Sequence, residues 1–169
     1  MPIQLKRISR TDTHPELPVN PDVVQPGVYK WPPHFQPILI FYVFVGGIIG
    51  TYARFLFSQT LPSLNGWPIA TLLVNLIGAF CLGLLLETLS RLGRDQGMLR
   101  AARLFIGTGI IGGFTTYSTF ALEVNTLISA NNTVTALSYA AVTISGGLIL
   151  CGFGIQLAAL YHKGKKKHS

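Results

Sequence analysis

A chain of 169 residues with 49% hydrophobic but only 11% charged side chains is too poor in charge for an ordinary water-soluble domain, where about 25% of residues are charged. Its apolar residues gather in long charge-poor blocks, the pattern of membrane-spanning helices rather than of a soluble core. The net charge of +7 would suggest a nucleic-acid partner in a soluble protein, but here the basic residues flank the apolar blocks and read as membrane topology.

Residues 1–35, which include THPELPVNPDVVQPGVYKWPPHF, are proline-rich and lack helical periodicity. They predict a disordered or extended tail. No apolar stretch follows the basic start, and Asp12, Glu16 and Asp22 argue against a transit peptide. Trp31 and Phe35 suit an anchor at the membrane interface.

The first span is predicted over PILIFYVFVGGIIGTYARFLFS, Pro37 to Ser58, long enough to cross a hydrocarbon core of about 30 Å. Gly46, Gly47 and Gly50 mark it as a close-packing helix, with Gly46 and Gly50 at a small-x-x-x-small spacing. Arg54 lies inside the span, where a guanidinium is costly unless it reaches the interface or bonds carbonyls or a carboxylate. A turn-like loop, Leu61–Trp67, leads to the second span, Pro68 to Leu89. There Thr71, Asn75 and Gly78 share one helical face, which suits either interhelical hydrogen bonding or an aqueous path.

The third apolar block runs from about Arg103 to Ile128. Gly107, Gly109, Gly112 and Gly113 weaken its helix, and the last two directly precede Thr115 and Thr116. Glycines beside hydroxyl residues favour a kink or break near the middle. A break frees backbone groups that side chains, water or an ion must satisfy in lipid. Thr115, Ser118 and Thr119 then fall on one face, Tyr117 and Phe120 form an aromatic pair, and Glu123 follows. Polar groups inside a span default to a functional reading. After a short loop, Ser129–Thr133, the fourth span is predicted from Val134 to Tyr161. It carries small residues at Ser138, Ser145 and Gly152, and hydroxyls at Tyr139 and Thr143. Residues 162–169 form a basic tail. The expected fold is therefore all-α, with a four-helix transmembrane domain over residues 36–161.

Of the 13 lysines and arginines, all but Arg54 fall before span one, between spans two and three, or after span four. The positive-inside rule puts both termini in the cytoplasm of a multi-pass plasma-membrane protein. No catalytic constellation is visible: there is no nucleophile elbow, zinc-protease motif or P-loop. His14, His34, His162 and His168 are confined to the ends, and Cys81 and Cys151 sit in apolar blocks without metal-ligand spacing. An enzyme is not expected.

GGIIGTYAR in span one, TLLVNLIGAFCLG in span two and GGFTTYSTFALE in span three, in this order and spacing, resemble the CrcB/Fluc fluoride-channel family over about Phe41 to Tyr161. The resemblance implies a passive channel that exports cytoplasmic fluoride and protects against its toxicity. It implies an antiparallel dimer of four-helix subunits with pores at the subunit interface. It also implies a structural sodium ion held by the main-chain carbonyls of Gly112 and Thr115. Tyr117 and Phe120 match the family's aromatic pair. Asn75, Ser118, Thr119 and Glu123 match its polar track, with Tyr139 and Thr143 as further members from span four, and Arg54 matches its arginine.

Two features depart from the family: Tyr117 replaces the usual phenylalanine, and the basic residues are strongly one-sided. The second suggests an inverted paralogous partner in place of a second copy. The other function classes are a small four-helix secondary transporter and a non-transporting membrane subunit. The first usually needs a carboxylate in its first span, which is absent here.

Overall fold

The structure is a computed structural model that describes residues 36–64 and 66–167. The expected N-terminal tail, with Trp31 and Phe35, lies outside the described residues, as do His168 and Ser169. Six α-helices and one π-helical segment make up nearly all of the described chain: α1 Pro37–Thr60, α2 Ile69–Leu92, α3 Gly97–Ala102, the π segment Arg103–Ile111, α4 Gly112–Phe114, α5 Tyr117–Ser129 and α6 Thr133–Lys167. Three stretches, Pro37–Thr60, Ile69–Leu92 and Thr133–Lys163, are long and apolar enough to cross a membrane. The remaining apolar block is divided among shorter pieces, continuous from α3 to α4 and resumed at α5. It begins earlier than expected, at Gly97 rather than Arg103, because the basic loop after α2 is itself partly helical.

Loop chemistry accounts for the turns. Leu64 and Trp67 exchange backbone hydrogen bonds of 3.2 and 2.9 Å, with Gly66 between them at φ +82°, a conformation that glycine adopts without strain. At the basic end, Arg103 forms a two-pronged contact with the Asp95 carboxylate at 2.8 and 3.1 Å. Arg100 Nε donates to the Asp95 carbonyl at 3.0 Å.

Close backbone packing sets the helix arrangement. A Cβ at Gly46 would strike the Phe105 carbonyl, and one at Gly50 the Ile110 carbonyl. These two glycines let α1 lie directly on the π segment. Gly47 differs, since nothing lies within 4 Å of its own Cβ position, although its carbonyl is 2.6 Å from where a Cβ on Gly113 would sit. The π segment itself is marked by its long-reach bond, from the Gly112 amide to the Gly107 carbonyl.

Helices α2 and α6 pack along most of their length. Leu76 meets Gly146, Ala79 meets Gly147 and Gly83 meets Cys151, so the two helices run in the same direction. Phe80 stacks on Phe153 at 6.2 Å. The most buried side chains, Val74, Ala136, Tyr139 and Ala158, all belong to this pair. Large apolar residues such as Phe44, Leu148 and Ile149 stay exposed on the single chain, as befits surfaces that meet lipid or another subunit.

Candidate functional site: an interrupted helix and its polar track

Gly107 and Gly109 of the third apolar block lie in the π segment, but the break in its helix comes later. Gly112 keeps helical angles, φ −63° and ψ −37°. The helix stops instead after Phe114, where Thr115 (φ −73°, ψ 159°) and Thr116 (φ −149°, ψ 123°) are extended before α5 resumes at Tyr117. Side chains from two other helices take up the backbone groups that this frees. In a continuous helix the Thr116 amide would bond to the Gly112 carbonyl; here it donates to Asn75 Oδ1 at 2.8 Å. Asn75 Nδ2 donates in return to the Thr116 carbonyl at 3.0 Å. The Asn75 amide thus pairs with Thr116 as a neighbouring β-strand would. From α1, Arg54 Nη1 donates to the Thr115 carbonyl at 3.2 Å, which settles how a guanidinium is accommodated in that helix: it bonds a freed carbonyl rather than a carboxylate.

Thr116 also caps α5. Its Oγ1 accepts from the Thr119 amide at 3.2 Å and donates to Thr119 Oγ1 at 3.0 Å, with Ser118 Oγ 3.4 Å away. A threonine at this position satisfies one of the amides orphaned at a helix start. The face expected to hold Thr115, Ser118 and Thr119 is therefore different in the structure. Thr115 lies in the extended link and its hydroxyl turns back to the Ile111 carbonyl at 3.0 Å. Thr116 joins Ser118 and Thr119 instead, because helical spacing cannot be carried across an interruption.

Further along α5, Glu123 is held from two sides. Thr71 of α2 donates to Oε1 at 2.7 Å and the Tyr139 hydroxyl of α6 donates to Oε2 at 2.8 Å. Tyr139 is 0% exposed. Its ring lies 5.4 Å from Phe120, which lies 6.3 Å from Tyr117. Tyr117 itself is 81% exposed on the single chain. Thr143 donates to the Tyr139 carbonyl at 2.7 Å, so its hydroxyl is bound within its own helix.

The structure thus gathers these residues into two groups along the start of α5: Asn75, Ser118 and Thr119 around Thr116, and Thr71, Tyr139 and Phe120 about Glu123. Thr143 touches the second only through a backbone carbonyl, and Tyr117 stands at its exposed edge. Arg54 approaches the interruption from α1, and Gly46 and Gly50 hold that helix close. Gly112 and Thr115 present carbonyls at the interruption, the latter beside the Arg54 guanidinium.

Two residues central to these groups were not singled out for them by sequence reasoning: Thr116 as the organising cap and Thr71 as a carboxylate partner. A threonine followed three residues later by a second hydroxyl, at the restart of a helix, was the available sign for the first. The chemistry on offer is a row of hydroxyl, amide and aromatic-edge groups, suited to passing a small anion by hydrogen bonds rather than to bond breaking.

Comparison with known proteins points the same way. A family model described as "CrcB-like protein, Camphor Resistance (CrcB)" matches residues 41–155. The "Fluoride-specific ion channel FluC 2" of Leifsonia xyli subsp. xyli is 46% identical over 130 residues, covering 77% of this chain and 90% of that protein. The "Fluoride-specific ion channel FluC 2" of Moorella thermoacetica is 47% identical over 116 residues, covering 67% and 90%. The "Fluoride-specific ion channel FluC 1" of Cutibacterium acnes is 40% identical over 116 residues, covering 68% and 81%.

Proposed function

Since the chain belongs to the CrcB family, whose similar members are named as ion channels and not as enzymes, we propose that it is a multi-pass membrane protein forming a fluoride-selective passive channel. Fluoride would leave the cytoplasm through it down the electrochemical gradient. The observation that carries this reading is the polar track of Asn75, Thr116, Ser118, Thr119, Phe120 and Glu123 beside an interrupted helix. Fluoride is small and strongly hydrated, so a path must offer donors in place of water, each moderate enough to release the ion.

The functional unit is an antiparallel dimer with the track at its interface. Its sodium ion would be held by the Gly112 and Thr115 carbonyls. Both are hard oxygen ligands: the turning of the Thr116 amide to Asn75 leaves the Gly112 carbonyl without its usual helical donor, while the Thr115 carbonyl accepts from Arg54 and would have to offer its second lone pair. Two carbonyls are too few for one cation, and a second subunit would complete the set. A bound cation supplies positive potential in a low-dielectric region and so favours an anion nearby.

The one-sided basic residues support cytoplasmic termini, and they favour an inverted paralog as the second subunit, since a chain with fixed orientation cannot readily supply its own inverted half. Fluoride efflux from proteoliposomes tests the whole reading. The purified chain, alone or with such a partner, should release fluoride and retain chloride. No fluoride release in either case would sink the proposal. Full activity from the chain alone as a dimer would remove the need for a paralog.

A further inference from the structure

Tyr139 lies in the second turn of α6, close to a helix end, yet it is 0% exposed. Among the residues against it is a loop residue that the polar track does not include. Trp67 stands edge-on to Tyr139, with ring centroids 6.1 Å apart and an interplanar angle of 83°. This is the arrangement in which the positive edge of one ring meets the negative face of the other. Trp67 is itself held firmly. Its amide donates to the Leu64 carbonyl at 2.9 Å, and its carbonyl accepts from the Leu64 and Ile69 amides at 3.2 and 2.9 Å. One helical turn further on, Thr71 supplies the other donor to Glu123. The loop and the first turn of α2 therefore govern both groups that hold the carboxylate.

Resting on the fluoride-channel reading, we propose that Trp67 is a positioning residue. It fixes the Tyr139 ring so that its hydroxyl stays on Glu123 and the ring stays beside Phe120. The indole, Tyr139, Phe120 and Tyr117 then form an unbroken row of rings, with successive centroids 6.1, 5.4 and 6.3 Å apart, from the loop to the exposed edge of the track. Without the indole, water reaches the phenol and competes for the Tyr139–Glu123 bond.

The test is a double-substitution cycle read by fluoride efflux, with Trp67→Ala, Trp67→Phe, Tyr139→Phe and the Trp67→Ala/Tyr139→Phe pair. Trp67→Ala is expected to lower flux about fivefold, in the range set by loss of one edge-on aromatic pair. Trp67→Phe should recover most of it, and Trp67→Ala should add nothing in the Tyr139→Phe background, because contacting residues couple. A second readout needs no transport. In a Trp31→Phe protein, Trp67 is the sole tryptophan, and Tyr139→Phe should shift its emission. Unchanged flux in Trp67→Ala, or the same fivefold loss with and without the Tyr139 hydroxyl, overturns the proposal. So does an emission spectrum indifferent to Tyr139→Phe, which decides the matter even if Trp67→Ala does not fold. A wild-type protein that passes no fluoride, either alone or with an inverted paralogous partner, overturns the channel reading instead, while the emission shift still reports the Trp67–Tyr139 contact.

Discussion

Asn75 is the residue whose replacement separates architecture from conduction most cleanly. Its side chain makes two hydrogen bonds to Thr116, accepting from the amide at 2.8 Å and donating to the carbonyl at 3.0 Å. Asn75→Asp keeps the shape and the first bond but loses the second, placing a carboxylate oxygen against the Thr116 carbonyl. Leaving one part-buried group unpaired costs about 1–3 kcal/mol. The charge does more. A fixed negative charge about 5 Å from a passing anion, at an effective dielectric constant of about 20, opposes it by about 3 kcal/mol, which is roughly a hundredfold in rate. Asn75→Leu is the control, since it loses both hydrogen bonds but adds no charge, and so should harm stability more and conduction less. The assay is fluoride efflux from proteoliposomes at matched protein density, with thermal unfolding in detergent measured on the same samples. If Asn75→Asp conducts like the wild type, or if Asn75→Leu stops flux as completely as Asn75→Asp, the anion does not pass Asn75 and the track is misplaced.

Phe120→Ile should cut fluoride flux about tenfold through loss of the ring edge and of its contact with Tyr139, with the dimer intact by size-exclusion chromatography; a dissociated protein would instead make Phe120 an assembly residue. Gly50→Ala puts a methyl group into the Ile110 carbonyl and should destabilise by about 1–3 kcal/mol. Gly47→Ala, which meets nothing within 4 Å, should stay within about 0.5 kcal/mol; equal melting temperatures for the two variants would contradict the packing of α1. Tyr117→Phe should leave the fold of the single chain unchanged, because this side chain is 81% exposed there; a changed efflux rate with unchanged unfolding temperature and dimer content reports the hydroxyl.

Much of the fold is legible in hydropathy alone, and the reason it is legible also marks where it stops being so. The first two spans were expected at Pro37 to Ser58 and Pro68 to Leu89, and the helices run Pro37–Thr60 and Ile69–Leu92, because lipid forces an apolar block to satisfy its backbone internally. Helix α6 continues to Lys167, past the end of its apolar block, since lysines sustain a helix as readily as they end a hydrophobic run. The third block is different. Local propensity points to the run from Gly112 to Thr116 as the weak place but not to which of its residues leave the helix; the extended ones are Thr115 and Thr116. Their conformation depends on Asn75 and Arg54, which lie 41 and 61 residues away in sequence. No window along the chain contains both the interruption and the groups that stabilise it. The pairing of Glu123 with Thr71 and Tyr139 was hidden for the same reason, as a three-helix contact whose members each look like an isolated polar residue on an apolar helix.

The hydrogen bonds also bear on where an anion can be received. Thr71 and Tyr139 spend their hydroxyl protons on Glu123, Thr143 spends its proton on a carbonyl, and Thr116 spends its own on Thr119. These four hydroxyls are thus already donating within the chain. Ser118, Tyr117 and Thr119 differ: the first two are exposed, the Ser118 hydroxyl has only a long 3.4 Å neighbour in Thr116, and Thr119 Oγ1 accepts from Thr116. Two of these three hydroxyls, those of Tyr117 and Ser118, lie on the exposed surface of the single chain, at the end of the row of rings. A path in which an ion is stripped of water needs walls on all sides, and this face has a wall on one side only. The exposure of these hydroxyls thus supports the proposed second subunit on grounds independent of the charge pattern: a partner there would close the open side of the proposed path.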